Sequence, residues 1–190
     1  MPKLIVKLMS EALDKLIVEI GREFENFKIR PKQTSRLMKV INLFLKVITF
    51  GKFDSFMKFT TTIGYYTIYT PINWDEKPEE KKIELLRHER IHLRQRRKLS
   101  IVLFSLLYLF LPFPVLFAWF RLSFEKEAYE ESMRTIYEQD GNTSRLREAS
   151  YKEAMTSKLV GPPYFWAWYR KHSIELWFDN FVASLESESK

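Results

Sequence analysis

The sequence predicts a mainly helical α+β protein, and three observations carry that reading. Most of the chain places apolar residues at helical spacing. Only one stretch is β-branched and aromatic almost throughout. Gly makes up just 5 of 190 residues, too few for an all-β fold built on tight turns. The composition, 46% hydrophobic, 16% aromatic and 29% charged, excludes disordered, collagen-like and coiled-coil chains and provides enough apolar mass for a real core.

The elements follow in order. Over residues 3–20, Leu4, Ile5, Leu8, Ala12, Leu13, Leu16, Ile17 and Ile20 recur at helical spacing, so an amphipathic helix is expected, running as far as Phe27 and closed by Pro31. Its first residues resemble a signal peptide, but Lys7, Glu11, Asp14 and Lys15 break the apolar run, so no export signal is read. Ser35 can cap a second helix over Arg36–Thr49, with Gly51 ending it. Phe59–Thr70 is the one β signal, either a long strand or two strands bent at Gly64. A helix rich in strong helix formers is expected from Glu79 to Leu99.

Ile101 to Phe120 is twenty residues without a charge, long enough to suggest a membrane span. Pro112 and Pro114 interrupt it, so two short helical pieces with a bend are expected, either a buried hairpin or one dipping into a membrane leaflet. Further helices are expected over Ser123–Gln139, from a cap at Thr143 or Ser144 to Leu159, and over Ser173–Leu185. The expected organisation is a helical extension over 1–55 and a site-bearing domain over 56–190.

The absence of Cys removes disulfide scaffolds, thiolate zinc ribbons, iron–sulfur clusters and Cys nucleophiles, and fits a reducing, cytoplasmic setting. A formal charge of +7 permits binding to nucleic acid or to anionic membranes.

The chemistry-bearing pattern is His88-Glu89-Arg90-Ile91-His92, an H-E-x-x-H sequence inside the expected 79–99 helix. Residues i and i+4 share a helical face, so both imidazoles can reach one metal ion. Neutral imidazole suits Zn²⁺. Glu89 lies about 100° further round the axis, where it can act as general base on a metal-activated water. Two of the chain's three His fall in this window. The bland alternative is a solvated basic helix, since Arg87, Arg90, Arg94, Arg96, Arg97 and Lys98 surround the motif.

A catalytic zinc site wants a third protein ligand. The next charged helix offers Phe124-Glu125-Lys126-Glu127-Ala128-Tyr129. The two motifs together resemble the gluzincin metallopeptidases, in which H-E-x-x-H precedes a second helix carrying E-x-x-A-D or a variant. They also resemble a group of small, often phage-encoded proteins with the same motifs. This second likeness covers roughly residues 60–178 and includes Thr62-Ile63-Gly64, Ile68-Tyr69-Thr70-Pro71 and the segment Gly161–Tyr164. The resemblance implies a minimal zincin-like core, with one or two strands packed on the active-site helix and a Glu-bearing second helix. It implies Zn²⁺ held by His88, His92 and Glu125, with Glu127 as the fallback ligand. Tyr129 stands where the family has an Asp. The resemblance also implies an upstream edge strand that binds an extended peptide, with Thr62, Gly64 and Tyr69 as substrate-binding residues.

For the oxyanion donor the candidates are His172, which is the one carried forward as catalytic, and Tyr164, Tyr169 and Tyr129. The expected partner is a peptide or protein substrate. Interleaving of basic residues with the 164–169 aromatics is too sparse to favour nucleic acid. Peripheral membrane contact through 101–120 is kept as an expectation, with the host cytoplasm or a virion as the setting. The rival function is a non-catalytic structural or binding protein, such as a virion or membrane-associated component, that retains a metal site.

Overall fold

The structure, a computed structural model, describes residues 2–48, 50–51, 55–58, 60–63, 66–99, 114–160 and 171–188. It is mainly helical with one small sheet, and its contacts divide into two compact units, Met1–Leu93 and Arg94–Lys190.

In the first unit, helix α1 (Pro2–Glu23) leads into strand β1 (Lys28–Pro31), helix α2 (Arg36–Ile48), strands β2 (Thr61–Ile63) and β3 (Thr67–Thr70), and helix α3 (Glu79–Leu99), whose residues from Arg94 onward count with the second unit. The sheet order is β1-β3-β2. β1 runs parallel to β3, with Ile29 opposite Ile68, and β2 runs antiparallel to β3, with Thr62 opposite Ile68. The core of this unit joins Leu16, Ile20 and Phe24 of α1 to Ile68 of β3 and to Leu86 and Leu93 of α3. The four-residue spacing of 16, 20 and 24 puts one apolar stripe of α1 against the sheet and α3.

Strand β1 departs from the expected helical front end, and the sheet has three strands rather than one or two. α1 stops at Glu23, and Asn26 takes a left-handed φ of 62°, which turns the chain so that the Lys28 N–H donates to Tyr66 O at 3.1 Å. Only Ile29 of β1 is turned inward enough to be half-buried. This strand is therefore made by its pairing with β3, not by a propensity of its own. The single long strand considered for 59–70 is instead the antiparallel pair β2–β3. Gly64 lies outside the described residues.

α2 begins as expected. Ser35 Oγ accepts from the Met38 N–H at 3.4 Å. Gly51, at φ 78°, donates to Lys46 O at 2.7 Å and closes the turn after the helix. α3 has the expected bounds, with Glu79 and Glu80 in its first turn and Arg96, Arg97 and Lys98 in its last, each charge set against the opposite end of the helix dipole.

The second unit contains α4 (Pro114–Asp140), α5 (Ala149–Val160) and α6 (Lys171–Ser187). Its main core joins Met133 and Ile136 of α4, Leu146, Met155 of α5, and Phe178, Val182 and Leu185 of α6. Trp177 of α6 donates its indole N–H to Glu130 Oε1 at 2.6 Å.

Two expected boundaries move. The helix expected over Ser123–Gln139 begins earlier, at Pro114, and runs unbroken to Asp140. Proline suits a first helical position, where its missing N–H has no partner to lose. Residues 100–113, with Pro112, lie outside the described residues. Helix α5 begins at Ala149 rather than just after Thr143 or Ser144. The Thr143 hydroxyl donates to Glu186 of α6, and the Asn142 side chain accepts from the Ser144 N–H at 2.9 Å in the turn that precedes the helix. Among the described residues, no helix is long and apolar enough to cross a membrane.

Candidate metal centre

α3 supplies the central side chains. His88 and His92, one turn apart, set their ring centroids 5.1 Å apart at an interplanar angle of 77°. His92 is 5% exposed and Glu89 6% exposed, so the motif is not a solvated basic face. Arg90 on the same helix is also engaged, its Nε lying 2.6 Å from Glu23 of α1.

Glu89 is held by the sheet. The Thr62 hydroxyl, on β2, donates to Glu89 Oε2 in a short hydrogen bond. A carboxylate that accepts from a fixed hydroxyl has one oxygen oriented. Lys32, fully buried after β1, donates from Nζ to Phe56 O at 2.7 Å. Burial pulls its ammonium down to a pKa of about 8, and the negative charge of Glu89 partly opposes that fall.

Gln95, one turn beyond His92, holds the Glu-bearing segment of α4. Its amide donates to Phe124 O at 3.0 Å and to Glu127 Oε2 at 2.8 Å. Residues 125 and 127 lie about 200° apart around a helix, so their side chains cannot face one point together. Glu127 is exposed and accepts from Gln95, whereas Glu125 is 6% exposed. One ligand atom from each of His88, His92 and Glu125 lies within 4.8 Å of the others.

His88, His92 and Glu125 could together hold a metal ion. Two imidazoles and one carboxylate form a known catalytic zinc set, and tetrahedral bonds of ~2.0–2.1 Å need ligand atoms about 3.3 Å apart.

The other expected site residues are distributed differently. Tyr69 sits on the central strand β3, 8% exposed, where its backbone pairs on both sides with Arg30 and Thr61. His172 is exposed in the first turn of α6 and is not a member of the ligand group. Tyr129 packs against the helical core of the second unit. Gly64, Tyr164 and Tyr169 lie outside the described residues.

Two residues were not foreseen, Lys32 and Gln95. Gln95 was detectable in principle, because it follows His92 by three positions and so lies near the same face. Lys32 carried no signal, since a Lys after Pro31 reads as surface. No protein family, curated protein or solved structure matches this chain.

Proposed function

We propose that this chain is a zinc-dependent metallopeptidase. The observation that carries the reading is the grouping of His88, His92 and Glu125 ligand atoms beside a buried, Thr62-bound Glu89. His88, His92 and Glu125 would hold the ion, leaving a coordination position for solvent or substrate. A bound zinc would supply a water made far more acidic than bulk water and a Lewis acid for the scissile carbonyl.

The chain's own residues do the remaining work. Glu89 accepts a proton from the attacking water and later delivers it to the departing amine nitrogen. The Thr62 hydrogen bond keeps the carboxylate turned for that exchange. β2, one of the two outer strands of the sheet, would offer an edge to an extended peptide, which would add as a further strand through main-chain hydrogen bonds. The absence of Cys suits a reducing, cytoplasmic setting for this activity.

The test is metal analysis of protein purified without added metal, followed by hydrolysis of a quenched-fluorescence peptide library. About one zinc per chain, with cleavage that a chelator abolishes and zinc restores, is the expected result. A chain that binds no zinc ends the proposal. A chain that holds zinc but cleaves nothing supports the rival reading of a non-catalytic metal-binding protein.

A further inference from the structure

Among the described residues, nothing covers the apolar face of helix α2. Leu37, Val40, Leu43, Phe44 and Val47 are between 50% and 65% exposed, while Met38 on the other side is fully buried. At about 100° per residue these five side chains fill an arc of roughly 120°. Apolar side chains scattered singly over a surface need no explanation, but a contiguous stripe of five does. Just beyond the helix, Phe50 is 93% exposed.

The charge beside this stripe has one sign. Between Phe27 and Phe53 the chain has seven Lys or Arg and no Asp or Glu, which equals the formal net charge of the whole protein, +7. On α2 itself Arg36, Lys39 and Lys46 are exposed. Lys39 and Lys46 lie about 40–60° past the Leu43 edge of the stripe, where their stems can run along apolar surface and their ammonium groups can rise to a polar layer.

We propose that α2 is an in-plane anchor that docks the protein on an anionic lipid surface, its apolar stripe set into the boundary between headgroups and acyl chains, with Lys39 and Lys46 at the phosphates. A strongly amphipathic helix with a basic flank has this binding mode. Its 13 residues span about 20 Å, too short to cross a ~30 Å hydrocarbon core, so the helix lies flat. The other occupants fit less well. Two copies of this face would bring like charges together, and a nucleic-acid backbone has nothing to bury five aliphatic and aromatic side chains against. The inference does not depend on the zinc site, and its test is separate from hydrolysis.

The test is co-sedimentation of the full chain with phosphatidylcholine vesicles, with and without phosphatidylserine. Binding is expected with phosphatidylserine, with a loss of about tenfold or more without it and a progressive decline as salt is raised. The F44D/V47D double variant should lose at least about tenfold in vesicle affinity while its circular dichroism is unchanged, because both side chains are exposed. K39E/K46E should weaken binding to the anionic vesicles alone. Failure of the wild-type chain to bind anionic vesicles overturns the proposal. So does binding that F44D/V47D leaves intact, which would assign it to another segment such as 101–120. A dimer on size-exclusion that F44D/V47D dissolves, without vesicle binding, overturns it in favour of a second copy.

Discussion

The Thr62 hydroxyl on an outer strand of the sheet donates to the carboxylate of Glu89 on α3. This contact joins two segments 27 residues apart and turns a sequence motif into an oriented group. Thr62, which the resemblance implies is a substrate-binding residue, also binds the side chain proposed as the base. Its backbone still lies on the strand edge that a peptide would use.

Replacing Glu89 with Gln preserves its size and removes its basicity. The variant is expected to keep its zinc, since Glu89 is not among the ligand atoms, and to lose at least about 100-fold in kcat, the usual scale for a general base. Zinc content and peptide hydrolysis measured on the same sample check both halves. Undiminished turnover excludes Glu89 as the base.

Thr62→Val keeps the branched shape and deletes the donor. Loss of a hydrogen bond to a charged acceptor should cost about 1.5–3 kcal/mol, read as a lower urea midpoint. The same variant should lower kcat more than it raises KM, because the orientation of Glu89 matters in the reaction and not in peptide docking. Equal changes in both would point to a purely structural bond.

Glu125 and Glu127 should separate cleanly. Glu125→Gln is expected to cut zinc affinity by tenfold or more, whereas Glu127→Gln, which alters only the Gln95 partner and an exposed position, should leave it within about twofold. Competition with a chromogenic chelator reads this directly. Reversal of the two effects would make Glu127 the ligand.

Lys32 predicts a pH dependence of stability. Its folded pKa, about 8, lies below the ordinary 10.5 because burial penalises the ammonium. Below pH 8 both states carry the proton and the buried charge costs the fold about 3 kcal/mol. Between pH 8 and 10.5 the unfolded chain binds more protons than the folded one, so this group's contribution to stability rises with pH. Lys32→Met should be more stable than wild type at pH 7 by part of that amount, because the bond to Phe56 O is lost as well, and the advantage should shrink towards pH 10.5. Urea titrations across this range measure it. A constant difference would mean that Lys32 keeps its ordinary pKa in the fold.

The local features were legible. The bounds of α3, the Ser35 cap of α2 and the i, i+4 placement of His88 and His92 follow from short-range geometry, which neighbouring residues determine among themselves. The misreadings share one cause. β1 is a strand because β3 lies beside it, and the segment before α5 stays a turn, tied through Thr143 to Glu186 of a later helix, so that helix α5 begins only at Ala149. In each case a partner distant in sequence overrode a local preference.

By itself the sequence determined that two imidazoles share a helical face with a glutamate beside them, because a helix repeats every 3.6 residues whatever surrounds it. Only the tertiary structure decided that Glu89 is buried and bound by Thr62, that Gln95 takes Glu127 while Glu125 joins the two histidines, and that the apolar stripe of α2 faces outward. Those outcomes depend on which elements pack together, and burial and long-range hydrogen bonds are set by that packing rather than by any residue's neighbours in the chain.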